Sequence, residues 1–246
     1  MATVTIPPRA GGAKAARTRA AVLRAATRVF AEKGYAGARL EDIASEVGIR
    51  RASLLYYVRD KRELYDAVLA DAYADLAARY RTVLAAPATA GERIEAVVTA
   101  WVAFIAERPP VARLLLWEAA DGSHERPALA AEQGGAIVAA LVDVIADGQR
   151  QGAFQPIDPL HFVITLMGAT VFFVTTTPRL DPTWTFDPLS PEQLAAHRRQ
   201  LLDIARRLLG RATPEPPAPA TSPAPMVRDA GAGIGRRLRE RTYDGC

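Results

Sequence analysis

The stretch GYAGARLEDIASEVGIRRASLLYYVRDKREL, residues 34–64, decides the fold of this chain. It divides into two short helical segments around Gly48, the second of them from Arg51 to Val58, because glycine accepts the left-handed backbone of a tight turn. Ala44 leaves room for the second segment to cross the first. The segments share a small apolar core of Ile43, Ile49 and Leu54. This pattern predicts a helix-turn-helix, whose second helix presents its polar side to a major groove of DNA.

The residues that we expect to contact DNA are basic, hydroxyl-bearing or aromatic: Arg39, Arg50, Arg51, Ser53, Tyr56, Tyr57 and Lys61. Arginine reads guanine edges, whereas serine and tyrosine bond phosphates. Lys61 opens the next helix, where we expect a phosphate contact. Residues 1–66 carry 13 basic and 7 acidic side chains, whereas residues 67–210 carry 12 and 16. A basic block before an acidic body indicates that this block binds a polyanion.

Helical periodicity predicts an all-α fold of about nine helices without a convincing strand. Four helix starts carry capping residues: Asp60 with Glu63, Thr89 with Glu92, Asp158 with Pro159, and Ser190 with Gln193. We expect a flexible arm over 1–16, a helix-turn-helix domain over 17–66 and a helical domain over 67–210. The Pro-rich and Arg-rich segment 211–246 is predicted to be a disordered tail.

Several protein classes are disfavoured by the composition. Cys246 is the only cysteine, so a disulfide framework is impossible. The histidines, His124, His161 and His197, lie in separate segments and are predicted on loops or helix surfaces, without metal-ligand spacing. We therefore expect neither an enzyme nor a bound metal or cofactor. Residues 1–16 lack a secretory signal, and the apolar run 162–174 is shorter than the roughly 20 residues of a membrane span. These features predict a cytoplasmic protein that does not enter a membrane.

Residues 34–64 resemble the helix-turn-helix of TetR-type bacterial regulators. The resemblance is carried by Gly34-Tyr35, Ile43-Ala44, Gly48-Ile49, the cluster from Leu55 to Val58, and Lys61. Three departures stand out. Ala38-Arg39 and Arg50 occupy positions where that family usually places capping Thr or Ser, and Tyr57-Val58 replace its usual His-Phe. The resemblance implies a three-helix DNA-binding domain, a divergent ligand-binding domain, and a homodimer formed by the last two helices on a palindromic operator.

The resemblance further implies a repressor that a small apolar or amphipathic effector releases from double-stranded DNA. A transcriptional activator of the same fold and a helical interaction protein without DNA binding stay open as alternatives. The dimer is expected through helices near 158–177 and 190–210. We expect the effector to bind within the helices that span residues from about 75 to 180. The predicted wall residues of its pocket are Trp101, Phe104, Trp117, Thr165 and Met167.

Overall fold

A computed structural model of the chain describes residues 12–120, 128–180 and 187–210. Within these ranges the backbone forms nine α-helices and no strand, which confirms the all-α prediction. The helices are α1 (Ala13–Gly37), α2 (Leu40–Val47), α3 (Arg51–Leu54), α4 (Lys61–Ala85), α5 (Ala90–Glu107), α6 (Pro109–Ala120), α7 (Ala128–Arg150), α8 (Pro159–Leu180) and α9 (Pro191–Leu209). His124 and the predicted tail over 211–246 lie outside the described residues.

The four predicted helix caps are confirmed. The side-chain oxygen of each capping residue accepts a hydrogen bond from a backbone N–H in the first helical turn. The four bonds are Glu63 N to Asp60 (2.8 Å), Glu92 N to Thr89 (3.3 Å), His161 N to Asp158 (2.8 Å) and Gln193 N to Ser190 (3.3 Å). At α5 the Glu92 carboxylate also accepts from the Thr89 backbone N–H at 2.8 Å, which completes a capping box.

The first three helices close around a small apolar core with the start of α4 and one residue of α6. Its fully buried members include Phe30, Ile43, Leu54, Leu64 and Val68, together with Leu114 of α6. Gly48 joins α2 to α3 at φ 75°, and its N–H donates to the Ser45 carbonyl at 3.0 Å. The predicted turn is therefore present, and it needs a residue that tolerates positive φ.

The second half of α4 packs with α5, α7, α8 and α9 around a larger apolar core. Leu76 and Tyr80 of α4 belong to this core, whereas Leu64 and Val68 of the same helix belong to the small one. One continuous helix thus crosses from the helix-turn-helix into the larger helical body. The two cores therefore share α4.

Two boundaries differ from the sequence prediction. The helix α1 begins at Ala13, inside the segment predicted as a flexible arm, because the alanine-rich run after Gly12 favours helix. The helix α3 ends at Leu54, although the pattern predicted helix as far as Val58. There the bonds from Tyr56 N to Ser53 O (3.3 Å) and Tyr57 N to Leu54 O (2.9 Å) span three residues, which tightens the chain into turns.

His197 is half-buried between α8 and α9, in contrast to the expected surface position. Its ring lies parallel to the Phe173 ring at 4.3 Å between centroids, and Nε2 is 3.2 Å from the Thr170 hydroxyl. Burial lowers the pKa of His197. His161 does lie on the surface, with 86% of its side chain exposed.

The helix α8 is long and apolar enough to meet the length and composition of a membrane span. Over Pro159–Thr176 the mean hydropathy is 1.6, and a third of this window is buried. The prediction that excluded a span considered only the shorter run 162–174. One side of α8 packs into the larger core. The opposite side exposes an apolar stripe whose members are four and then eight residues apart: Leu160 (48%), Ile164 (54%) and Phe172 (56%).

Candidate DNA interface and effector cavity

The polar side of the helix-turn-helix is exposed as a group. Arg39, Arg50, Arg51, Ser53 and Tyr56 are all exposed, and Tyr56 reaches 82%. Tyr57, also predicted to contact DNA, is half-buried and packs against the small core. Of the two adjacent tyrosines, the structure leaves Tyr56 free to meet a partner, whereas Tyr57 is partly committed to packing.

The helix α2 compensates for the missing side-chain cap at its start. Arg39 is the N-cap residue and makes no capping bond, but Glu41 and Asp42 lie in the first turn. Carboxylates there interact favourably with the positive end of the helix dipole. The Lys33 ammonium lies 2.7 Å from the Asp42 carboxylate, and this hydrogen bond lowers the pKa of Asp42.

Arg51 of α3 is paired with Glu41 of α2. The guanidinium Nε lies 3.2 Å from the Glu41 carboxylate, and both side chains are more than half exposed. An exposed pair of this kind is worth about 0–1 kcal/mol. Separating Arg51 from this carboxylate therefore costs little.

Lys61 is committed to the protein backbone rather than left free for a phosphate. Its ammonium donates to the carbonyls of Tyr35 (2.8 Å), Ala36 (3.3 Å) and Ala38 (3.2 Å). The same nitrogen lies 4.6 Å from the centre of the Tyr35 ring. An ammonium has three donors, and all three are used here. Lys61 therefore ties the start of α4 to the end of α1.

A narrow apolar cavity of about 30 Å³ lies within the larger core. Its lining comes from α4, α5, α7, α8 and α9: Tyr80, Ile94, Val97, Val98, Trp101, Leu141, Ile145, Phe162, Val163, Leu166, Met167 and Leu201. Two of the predicted wall residues, Trp101 and Met167, are among them. Tyr80 was missed by sequence reasoning, although it ends an apolar stripe through Leu69, Ala72 and Leu76 on α4.

The other three predicted wall residues lie elsewhere. Phe104 is fully buried beside Trp101, under the guanidinium groups of Arg79 (5.6 Å) and Arg108 (5.9 Å). Thr165 is exposed on α8. Trp117 is 45% exposed on α6, where its indole N–H donates to the Ala31 carbonyl of α1 at 3.2 Å.

Trp117 and its neighbour Glu118 connect α6 to the helix-turn-helix. The Trp117 ring packs against Gly34, which has φ 68° near the end of α1. The Glu118 carboxylate accepts a hydrogen bond from the Tyr65 hydroxyl of α4. The helical body therefore contacts the DNA-binding part through two routes, the continuous α4 and this α6 contact.

A wider groove of about 290 Å³ lies between α1, α6 and α8. Its walls include charged side chains as well as apolar ones, among them Arg28, Glu32, Arg113, Val174 and Leu189. Among the described residues, no group of three His, Cys, Asp or Glu side chains is arranged to hold a metal ion. Of the two spaces, only the narrow cavity has a lining without charged residues.

Both the helix-turn-helix and the larger helical body match known protein families. Residues 22–68 match the family of tetR bacterial regulatory proteins, and residues 91–204 match the tetracycline repressor-like C-terminal domain. The chain is 30% identical over 168 residues to the transcriptional regulator RutR of Escherichia coli K12, covering 65% of this chain and 76% of RutR.

The chain belongs to the TetR family. It is also 29% identical over 164 residues to the transcriptional repressor SCO4008 of Streptomyces coelicolor, covering 66% of this chain and 81% of that repressor. The crystal structure of AibR with isovaleryl coenzyme A and operator DNA shares the fold. Its TM-score is 0.62 at 18% identity, over 79% of this chain and all of that one. This TetR-family member is thus a DNA-binding transcriptional regulator and not an enzyme.

Proposed function

We propose that this regulator is a repressor that binds a palindromic operator as a homodimer and leaves it when a small apolar effector enters the cavity. The observation that carries the proposal is the position of α4. This helix supplies Tyr80 to the cavity and Leu64 and Val68 to the core of the helix-turn-helix. Occupation of the cavity and the placement of the recognition helix are therefore mechanically linked.

The small volume of the cavity explains how an effector acts. About 30 Å³ of space holds roughly one water molecule. Any larger ligand has to displace wall side chains and the helices that carry them, because protein interiors are closely packed. The effector consequently favours a conformer with α4 displaced, in which the two recognition helices no longer match successive major grooves.

The DNA contacts are assigned to the exposed residues of α2 and α3. Arg51 faces base edges, Arg39 and Arg50 flank the helix starts, and Ser53 and Tyr56 bond phosphates. Lys61 and Tyr57 support these contacts from behind, by fixing α4 against α1 and by packing on the small core. The functional division near residue 66 then falls inside α4, so the two parts share one helix instead of a flexible linker.

The homodimer is assigned to α8 and α9. Leu160, Ile164 and Phe172 form an exposed apolar stripe on α8, and Leu208 of α9 is also exposed (41%). A second copy of the chain buries this surface without lipid, which accounts for the hydropathy of α8 in a protein that acts on the chromosome in the cytoplasm.

Gel mobility-shift titrations with duplex fragments from the neighbourhood of the encoding gene test the proposal. We expect a sequence-selective complex whose affinity falls steeply with salt, because arginines release counterions from the phosphates. A fusion of the target promoter to a reporter gene then distinguishes repression from activation. Deletion of the regulator raises reporter expression if it is a repressor and lowers it if it is an activator. Failure to form any sequence-selective complex at low salt would contradict the proposed function.

A further inference from the structure

Two residues that line the narrow cavity, Tyr80 and Trp101, each carry a polar atom with no hydrogen-bond partner among the described residues. The atoms are the hydroxyl oxygen of Tyr80 and the indole nitrogen of Trp101. The two side chains are only 3% and 2% exposed, so bulk water does not solvate these groups. Most buried polar atoms in proteins are paired. Two unpaired donors on the wall of one cavity therefore point to a ligand atom that accepts from them.

The rest of the wall restricts the charge of that ligand. The ten other lining residues are aliphatic, aromatic or methionine, and none carries a charge. A carboxylate or phosphate held here would be buried without a counter-charge, which is strongly unfavourable. The indole N–H only donates, and burial raises the pKa of Tyr80, which keeps its hydroxyl protonated as a donor.

Two further buried atoms lack a partner among the described residues, Arg93 Nε and Gln133 Oε1. Neither residue lines the cavity or the groove between α1, α6 and α8. These two atoms therefore indicate no ligand. In the described part of the chain, only Tyr80 and Trp101 both carry an unpartnered buried donor and line the narrow cavity.

We infer that the effector is an uncharged, mostly apolar molecule with an oxygen acceptor, such as a ketone carbonyl, that takes hydrogen bonds from Tyr80 and Trp101. The inference rests on the proposed function and adds the chemical class of the effector to it. The hydrophobic body of the ligand fills the space opened between α4, α5 and α8. The acceptor oxygen pairs with the Tyr80 hydroxyl and the Trp101 indole N–H.

Three probes of similar size test this inference by calorimetric titration of the full-length protein: acetophenone, ethylbenzene and benzoate. They present a carbonyl acceptor, no acceptor and an anionic acceptor, respectively. We expect acetophenone to bind about tenfold more tightly than ethylbenzene, the gain of roughly one to two net hydrogen bonds, and benzoate not to bind.

The variant Tyr80→Phe removes one donor and leaves the ring in place. It should reduce the preference for acetophenone several-fold and leave the affinity for ethylbenzene unchanged. It should also raise the melting temperature of the free protein, because it deletes a buried hydroxyl that has no partner in the described part of the chain. The variant Trp101→Phe removes the second donor and should likewise reduce the preference for acetophenone over ethylbenzene. Tyr73→Phe is the control, because Tyr73 does not line the cavity.

Equal binding of the ketone and the hydrocarbon, no binding of the ketone, or preferred binding of benzoate would overturn the inference. The same protein samples are titrated with operator fragments in parallel. If a selective operator complex forms while the ketone shows no advantage, only the effector class is wrong. Absence of an operator complex instead contradicts the proposed function.

Discussion

Lys61, the first residue of α4, could serve either of two roles. It either stabilises the fold through its backbone contacts or binds a DNA phosphate directly, and a substitution distinguishes the two. Its ammonium donates to three carbonyls at the end of α1, so Lys61→Met leaves these carbonyls without donors. We predict a loss of about 1–3 kcal/mol in the free energy of unfolding, measured by urea denaturation. Operator affinity should fall with little change in its salt dependence.

The matched control for Lys61 is Lys33→Met. Lys33 makes a single exposed ion pair with Asp42, so its removal should cost at most about 1 kcal/mol. A variant Lys61→Met of normal stability, whose operator binding shows a salt slope reduced by about one unit, would instead identify Lys61 as a direct phosphate contact.

Tyr56 and Tyr57 are adjacent but have different roles. Tyr56 is 82% exposed, so Tyr56→Phe should change stability by less than about 0.5 kcal/mol. Operator affinity should fall by about five- to tenfold when its hydroxyl contact is lost. Tyr57→Ala should lower the melting temperature, because this ring packs on the small core. Thermal melts and mobility shifts measure both effects. A loss of stability in Tyr56→Phe, or a loss of operator affinity without loss of stability in Tyr57→Ala, would contradict these roles.

At the scale of the helices, α6 lines no part of the cavity but contacts α1 and α4 through Trp117 and Glu118, so its share in the coupling between effector and DNA is testable separately. Trp117→Phe keeps an aromatic ring against Gly34 and removes the hydrogen bond to the Ala31 carbonyl. We predict that operator affinity without effector stays within about twofold. The factor by which an effector weakens it should shrink by about two- to tenfold.

The control for Trp117 is Leu116→Ala, the exposed neighbour on α6. Both variants are compared by operator titration with and without an effector found by thermal-shift screening. An unchanged coupling factor in Trp117→Phe would assign the whole effect to α4.

The helices were predictable from the sequence where their determinants are local. Asp60, Thr89 and Ser190 cap through backbone groups three residues away, so their spacing alone indicates a helix start. The end of α3 was not predictable in this way. The apolar pattern continues to Val58, which is indeed buried, but the chain reaches that burial through tight turns.

The site was less predictable because burial depends on how helices pack. Trp101 and Trp117 both lie in apolar helices, yet one lines the cavity and the other seals α6 against α1. Sequence alone does not separate these cases, since both satisfy the same periodicity. Lys61 shows the same limit: its basic character predicted a phosphate contact, whereas the kink at Gly34 brings three carbonyls to its ammonium.

At the scale of the whole molecule, the exposed apolar stripe on α8 is the surface to which we assign the homodimer. Ile164→Glu places a charge in the proposed dimer interface, so we predict a folded monomer by light scattering at micromolar concentration. Its operator affinity should drop at least about 100-fold, because each half-site is then bound independently. Ala78→Glu, on the exposed side of α4, is the control and should remain a dimer. A monomeric parent protein would refute the assignment of α8 to a dimer interface.

The narrowness of the cavity also sets the pace of the response. A space of about 30 Å³ is too small for a ligand larger than water, so binding has to wait for the helices around it to separate. In a stopped-flow experiment that follows tryptophan fluorescence, the observed rate should therefore level off as ligand concentration rises, at the rate of opening itself. Helix motions of this kind take microseconds to milliseconds. The rate of helix opening would then set the upper limit on the rate of induction. The ligand concentration would decide only what fraction of the openings leads to binding.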